Sequence, residues 1–257
     1  MLGNSLGYDD LMSHLVLLEM TGIGLLVGLA KTSIGGLGLL CAALLTQILP
    51  AKESTGVLLI LLIIGDLFAI TAYRKYVDWK FLRTLIMPVF AGLVFGAIFL
   101  SQSTDESLKK FIGWVVVILV ILYPLSQYWQ KKNSDLNSRF PRFLRLTLGS
   151  TAGFMSMIAN SGGTPMSIYL FLRRESVMNF LANSAWFFFI VNLIKLPFTI
   201  GLGILEVTSF KFILPAIPAI AVGALIGKKI VSQINQKIFQ NLTLISAGLV
   251  GIKLILS

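Results

Sequence analysis

Residues 28–38 read Gly28-Leu29-Ala30-Lys31-Thr32-Ser33-Ile34-Gly35-Gly36-Leu37-Gly38. One apolar run, 15–30, ends in this stretch and another, 37–49, begins in it. Read as a single helix, the two would hold about 35 residues and reach roughly 52 Å, against a hydrocarbon core of about 30 Å. The chain must turn back at 31–36, as a re-entrant hairpin or as two short spans.

A membrane is the right setting for that comparison. The chain has 257 residues, of which 56% are hydrophobic and 12% charged. Soluble chains are about 25% charged. Mean hydropathy is +0.87. These values exclude a soluble enzyme, a nucleic-acid-binding domain and a disordered scaffold, and leave an integral membrane protein. The net charge of +10 reads as Lys and Arg gathered in cytoplasmic loops, not as a nucleic-acid surface. A single Cys, Cys41, excludes a disulfide framework and a cysteine metal site. A single His, His14, argues against histidine-ligated metal and suits the membrane interface. No cofactor or metal is expected. The first 13 residues carry Asp9 and Asp10 but no Lys or Arg, so no cleavable signal peptide is expected.

Ten apolar segments follow: 15–30, 37–49, 55–72, 81–100, 108–129, 143–159, 165–172, 177–203, 209–230 and 237–256. Strand signatures are missing, and in lipid the backbone must satisfy itself internally, so these read as helices of an all-α polytopic membrane protein. The sixth and seventh flank Asn160-Ser161-Gly162-Gly163-Thr164-Pro165 and form either a second hairpin or one broken helix. Charge decides. With two hairpins, one side receives Arg74, Lys75, Lys80, Arg83, Lys131, Lys132, Arg139, Arg142, Arg145, Arg173, Arg174, Lys228, Lys229 and Lys237. The other receives only Lys52, Lys109, Lys110, Lys211 and Lys253. A single span in place of the second pair flips every later loop and blurs this asymmetry. The positive-inside rule favours two hairpins, with both termini outside.

The sequence also repeats. Gly35-Gly36 returns as Gly162-Gly163, and Trp79-Lys80-Phe81 as Phe210-Lys211-Phe212. Pro88, Gly92 and Gly96 are echoed by Pro218, Gly223 and Gly227, and Phe111 by Phe239. Near-constant offsets over a hundred residues indicate two copies of one unit. The expected organisation is an N-terminal segment 1–13, a first repeat 14–129, a basic cytoplasmic linker 130–142 and a second repeat 143–257. Each repeat is a broken or re-entrant helical hairpin plus three transmembrane helices. Three is odd, so the second unit enters from the opposite side. Inverted-topology repeats with interrupted helices are the usual build of secondary transporters.

Each hairpin tip places a polar Gly-Gly turn before a new helix. Helix N-termini have free N–H groups and the positive dipole end, which attract anions. Lys31, Ser33, Gly35 and Gly36 at the first tip, and Asn160, Ser161, Gly162, Gly163 and Thr164 at the second, are the candidate substrate-binding residues. Gly-Gly could also serve only a tight turn or close packing. Packing alone explains Gly92/Gly96 and Gly223/Gly227. Charges at membrane depth are costly and mark functional sites. Asp66 and Lys195 are such charges, 129 residues apart. They could simply pair across the repeat axis, or Asp66 could change protonation during transport, with Lys31 or Lys195 holding the anion. Lys31 could instead snorkel to the surface. Trp79, Trp114, Tyr128 and Trp129 suit membrane-interface belts.

The stretch 28–38, with Gly65-Asp66, Tyr73-Arg74, Asp78-Trp79 and Pro88 followed by Gly92 and Gly96, resembles the sulfite exporter TauE/SafE family, also called the toluenesulfonate uptake permease family. Ala152-Gly153-Phe154-Met155-Ser156, Gly162-Gly163-Thr164-Pro165, Tyr169-Leu170, Asn192, Lys195 and Gly201 continue the resemblance over nearly the whole chain. The family often has a proline in the second helix of its first motif, and 43–48 has none. The resemblance implies a secondary transporter of small anions such as sulfite, thiosulfate or organosulfonates. It implies coupling to protons and a place in the bacterial plasma membrane. The residues themselves reach an anion transporter but not sulfur. A passive channel, a carboxylate transporter and an intramembrane protease are the competing readings. The last lacks a histidine near Ser161. Glycine-striped outer helices permit a homodimer.

Overall fold

Leu, Ile, Val, Ala and Phe without strand-period alternation give helices along the described residues. The computed structural model describes residues 3–33, 37–132, 142–173, 175–205, 213–230, 245, 248–249 and 251–256. The helices are α1 (Gly3–Thr32), α2 (Leu37–Ile48), α3 (Ala51–Tyr73), α4 (Trp79–Gln102), α5 (Asp105–Lys132), α6 (Arg142–Ala159), α7 (Gly163–Leu172), α8 (Val177–Gly201) and α9 (Ala216–Ile230). Residues 251–256 are also helical. Of the expected tenth segment, most lies outside the described residues, as does the linker over 133–141. Helix α1 starts at Gly3, well before the apolar run, because nothing between 3 and 15 breaks it: there is no proline.

Four stretches among the described residues are long and apolar enough to cross a membrane: Leu15–Thr32, Ala51–Tyr76, Trp79–Gln102 and Val177–Gly201. The protein is a multi-pass, all-α membrane protein. Helices α2 and α7, of 12 and 10 residues, reach only about 18 and 15 Å and cannot span. Several hydroxyl side chains bond back to their own helix. Thr55 Oγ1 donates to Ala51 O (3.0 Å) and Thr46 Oγ1 to Ala43 O (2.8 Å). Helix starts are capped by Asp78, which accepts from Phe81 N, and by Ser176, which accepts from Asn179 N. Large apolar side chains of α4, including Met87, Phe90 and Phe95, face outward, as lipid-facing residues do.

In lipid, apolar burial does not drive helices together, so close backbone approach must. Two helix pairs use it. Along α4 and α6, a methyl group on Gly92 would overlap Ser150 O, one on Gly153 would overlap Val89 O, and one on Gly96 would lie 2.7 Å from Met157 Cβ. Along α1 and α9, a methyl group on Gly28 would overlap Ile220 O, and one on Gly223 would overlap Leu25 O. The glycines read from the sequence as packing residues do pack. Matching positions advance together in both pairs, so each pair runs parallel. Helix α6 therefore begins beside the start of α4. Helix α7 ends beside it too, because Arg173 Nη2 lies 3.0 Å from Asp78 Oδ2. The loop 74–78 and Arg173 thus share one end of the bundle, and α6 begins and α7 ends there. A single broken span would have put the start of α6 and the end of α7 at opposite ends.

The sequence offered an Asp66–Lys195 pair, and the structure corrects it. Asp66 pairs with Lys31, at 2.7 Å. Lys195 instead bonds to Ser156 of α6 and to Asn160 just after it. Lys31 reaches Asp66 because Gly65 leaves room: a methyl group there would lie 2.9 Å from Lys31 Cγ. The carbonyls at the end of α6 draw the Lys195 ammonium away, as helix C-termini draw cations.

Gly92→Ala should cost about 1–3 kcal/mol by overpacking and lower Tm by several degrees. Gly22→Ala, whose added methyl group meets nothing within 4 Å, should not lower it. Thermal melts of both variants in detergent check this, and equal Tm values would refute the packing role.

Candidate functional site

The break between α6 and α7 is built by Asn160. It takes a left-handed conformation (φ 50°), which asparagine tolerates better than most residues. Its side chain is held from two sides. Nδ2 donates to Thr55 O of α3 (3.1 Å), and Oδ1 accepts from Lys195 Nζ of α8. Ser161 N and Oγ both bond to Met155 O, so Ser161 closes the turn. Gly162 packs on Ala152 O, 2.5 Å from where a Cβ would stand. Gly163 has space above it, with only the Phe188 ring within 4 Å, and it opens α7.

The end of α1 is tied in a related way. Thr32 Oγ1 lies 2.9 Å from both Gly28 O and Ala224 O. Tyr73 Oη donates to Thr32 O from the end of α3. Ser33 Oγ donates to Leu29 O. Gly35 and Gly36 lie outside the described residues, as does the Thr164 side chain.

Between these ends lies a pocket holding about 740 Å³ of space free of atoms, counting its open part. Its polar lining comes from five helices and the chain just after α1: Lys31 of α1, Ser33, Asp66 of α3, Ser156 and the adjoining Asn160 of α6, Ser167 of α7, and Ser184 and Asn192 of α8. Gly38 in the first turn of α2 and Gly163 at the start of α7 also border it. Phe180, Leu181 and Phe188 form an apolar wall. Asp66 is fully buried, and its carboxylate is held by Lys31 at 2.7 Å and Asn192 Nδ2 at 2.8 Å. The Lys31 ammonium also lies 4.8 Å from the Phe188 ring centroid, a cation–π contact. Lys31 points into the protein, with 12% of its side chain exposed, and does not snorkel.

Of the residues singled out in the sequence, the pocket gathers Lys31, Ser33, Asp66, Asn160 and Gly163. Ser161 and Gly162 shape the turn, and Lys195 stands behind Asn160, away from the lining. Ser156, Ser167, Ser184, Asn192 and Phe188 were not picked as site residues. Asn192 had a signal of its own, an amide inside an apolar span. The serines had none, since small hydroxyl residues are common within membrane helices. At the basic end of the bundle, Arg173 bonds Asp78 and Glu175 and stacks on Phe81, and Asp78 N donates to Asn183 Oδ1. Among the described residues no cluster of His, Cys, Asp and Glu could hold a metal.

A family model described as Sulfite exporter TauE/SafE matches residues 20–254. No curated protein and no solved structure matches the chain.

Lys31→Met should leave the Asp66 charge buried without its partner and cost about 3–5 kcal/mol. Adding Asp66→Asn should recover most of that loss. A double-mutant thermal cycle measures the coupling. Additive effects would mean that the pair does not interact.

Proposed function

Because the chain belongs to the sulfite exporter TauE/SafE family, a family of transporters and not of enzymes, we propose that it is a proton-coupled secondary transporter of small anions. The observation that carries this reading is the Lys31–Asp66 pair facing the pocket. In the empty site the Lys31 ammonium is paired with the Asp66 carboxylate. An anion that takes Lys31 as its counter-charge would draw it from Asp66 and leave that buried carboxylate without its cation, which is costly. A proton on Asp66 removes that cost. Anion and proton would therefore enter and leave together, with Asp66 as the proton-coupling residue and Lys31 as the anion's counter-charge.

The starts of α2 and α7 border the same pocket, and helix N-termini favour anions. Ser33, Asn160 and Gly163 line it and would supply hydrogen bonds. Gly35, Gly36, Ser161, Gly162 and Thr164 complete the tips in this reading. Lys195 acts on the substrate only through Asn160. Inverted repeats fit the packing: α1 of the first half lies parallel to α9 of the second, while α6 of the second lies parallel to α4 of the first. Such a build places a site between the halves, with alternating access by one moving against the other.

The family description favours sulfite or a related sulfur-containing anion as cargo, and the setting in this reading is a bacterial plasma membrane. Purified protein in liposomes loaded with a pH-sensitive dye tests the reading, with sulfite, thiosulfate, sulfoacetate, sulfate and acetate added in turn. Wild type should move protons with at least one of them. Asp66→Asn should retain ligand-induced thermal stabilisation and lose proton movement. Proton flux of normal size in Asp66→Asn would remove Asp66 from the mechanism. Saturation-free flux without proton movement would indicate a channel.

A further inference from the structure

Lys195 is fully buried in α8, and the coupling scheme above does not use its charge directly. Its ammonium lies within hydrogen-bonding reach of three oxygens: Ser156 O, Asn160 Oδ1 and, at 3.5 Å, Ser156 Oγ. All three are neutral. Among the described residues, the carboxylate that acts on it, Asp66, is held by Lys31 and Asn192. Burying an ammonium costs several kcal/mol. A residue needed only for its bulk would carry no charge.

The three oxygens sit at the last turn of α6, where the helix breaks. Helix C-termini favour cations. In transporters, the carbonyls at the ends of broken helices are where free cations bind. We propose that Lys195 is a tethered cation: its ammonium fills an oxygen cage at the end of α6 that would otherwise take a free monovalent cation. Through Asn160 Oδ1 it also fixes the turn that walls the pocket, which makes it a positioning residue. The numbering carries the same relation. Asn160 lies 129 residues after Lys31, and Lys195 lies 129 after Asp66. One half therefore joins the two positions by an ion pair, and the other joins them by an ammonium on an amide. With the cage permanently filled, the protein needs no sodium ion there.

Thermal melts of detergent-purified wild type, Lys195→Ala and Lys195→Met test this, in N-methylglucamine, sodium or ethylammonium chloride. Wild type should melt at the same temperature in all three. Lys195→Ala should melt lower in N-methylglucamine, a cation too large for the cage. Sodium or ethylammonium should raise its Tm by about 3–6 °C. Lys195→Met fills the space without charge, and should melt low in every salt. Three outcomes would overturn the proposal: Lys195→Met as stable as wild type; Lys195→Ala unresponsive to both small cations; or Lys195→Ala not recoverable in any of the three salts. The readout is cation-dependent stability, so it stands whether or not the pocket proves to carry anions.

Discussion

A helix that stops inside a membrane must find partners for its last carbonyls, and this constraint governs the whole molecule. Helices α1 and α6 both end among other helices, and buried side chains tie their last turns to neighbours. The end of α1 is met by the Tyr73 hydroxyl of α3, and by Thr32 reaching to Ala224 of α9. The end of α6 is met by the Lys195 ammonium of α8, while Asn160 reaches to Thr55 of α3. Every one of these ties reaches another helix. Each buried polar group left alone would cost about 1–3 kcal/mol. The breaks are therefore stable only within the assembled bundle.

The same ties produce the site. Once α1 and α6 end beside α3 and α8, the short helices α2 and α7 begin there, and their starts border the space between. Lys31 and Asp66 face that space as an ion pair, in surroundings where a net charge is expensive. In the proposed coupling the pair has two balanced states, closed on itself or open to an anion and a proton. Phe188 beside Lys31 adds an attraction that asks for no second negative charge. The asymmetry between the halves is chemical: an acid–base pair on one side, an ammonium on neutral oxygens on the other.

Glycine supplies the frame. In α1, α4, α6 and α9 it allows backbones to approach until a single added methyl group would collide. Spacing alone marked Gly92, Gly96, Gly223 and Gly227 as packing residues. The tip glycines were harder to sort, because a Gly-Gly pair looks the same whether it admits a ligand or closes a turn. The structure divides Gly162, pressed on Ala152, from Gly163, which borders the pocket.

Composition and charge-free runs determined by themselves that this is a helical membrane protein with two interrupted segments, because lipid permits few other solutions. Positions also marked Lys31, Asp66, Asn160 and Lys195, since buried polar groups in apolar runs are costly enough to stand out. Which of them pair could not be read from the sequence. Asp66 and Lys195 are opposite charges at matching positions, yet Gly65 lets Lys31 reach Asp66 first, and the carbonyls of α6 claim Lys195. Ser156, Ser167 and Ser184 join the site only because three helices converge there. Partner choice depends on distances of a few ångströms between separate helices, and those distances exist only once the bundle has packed.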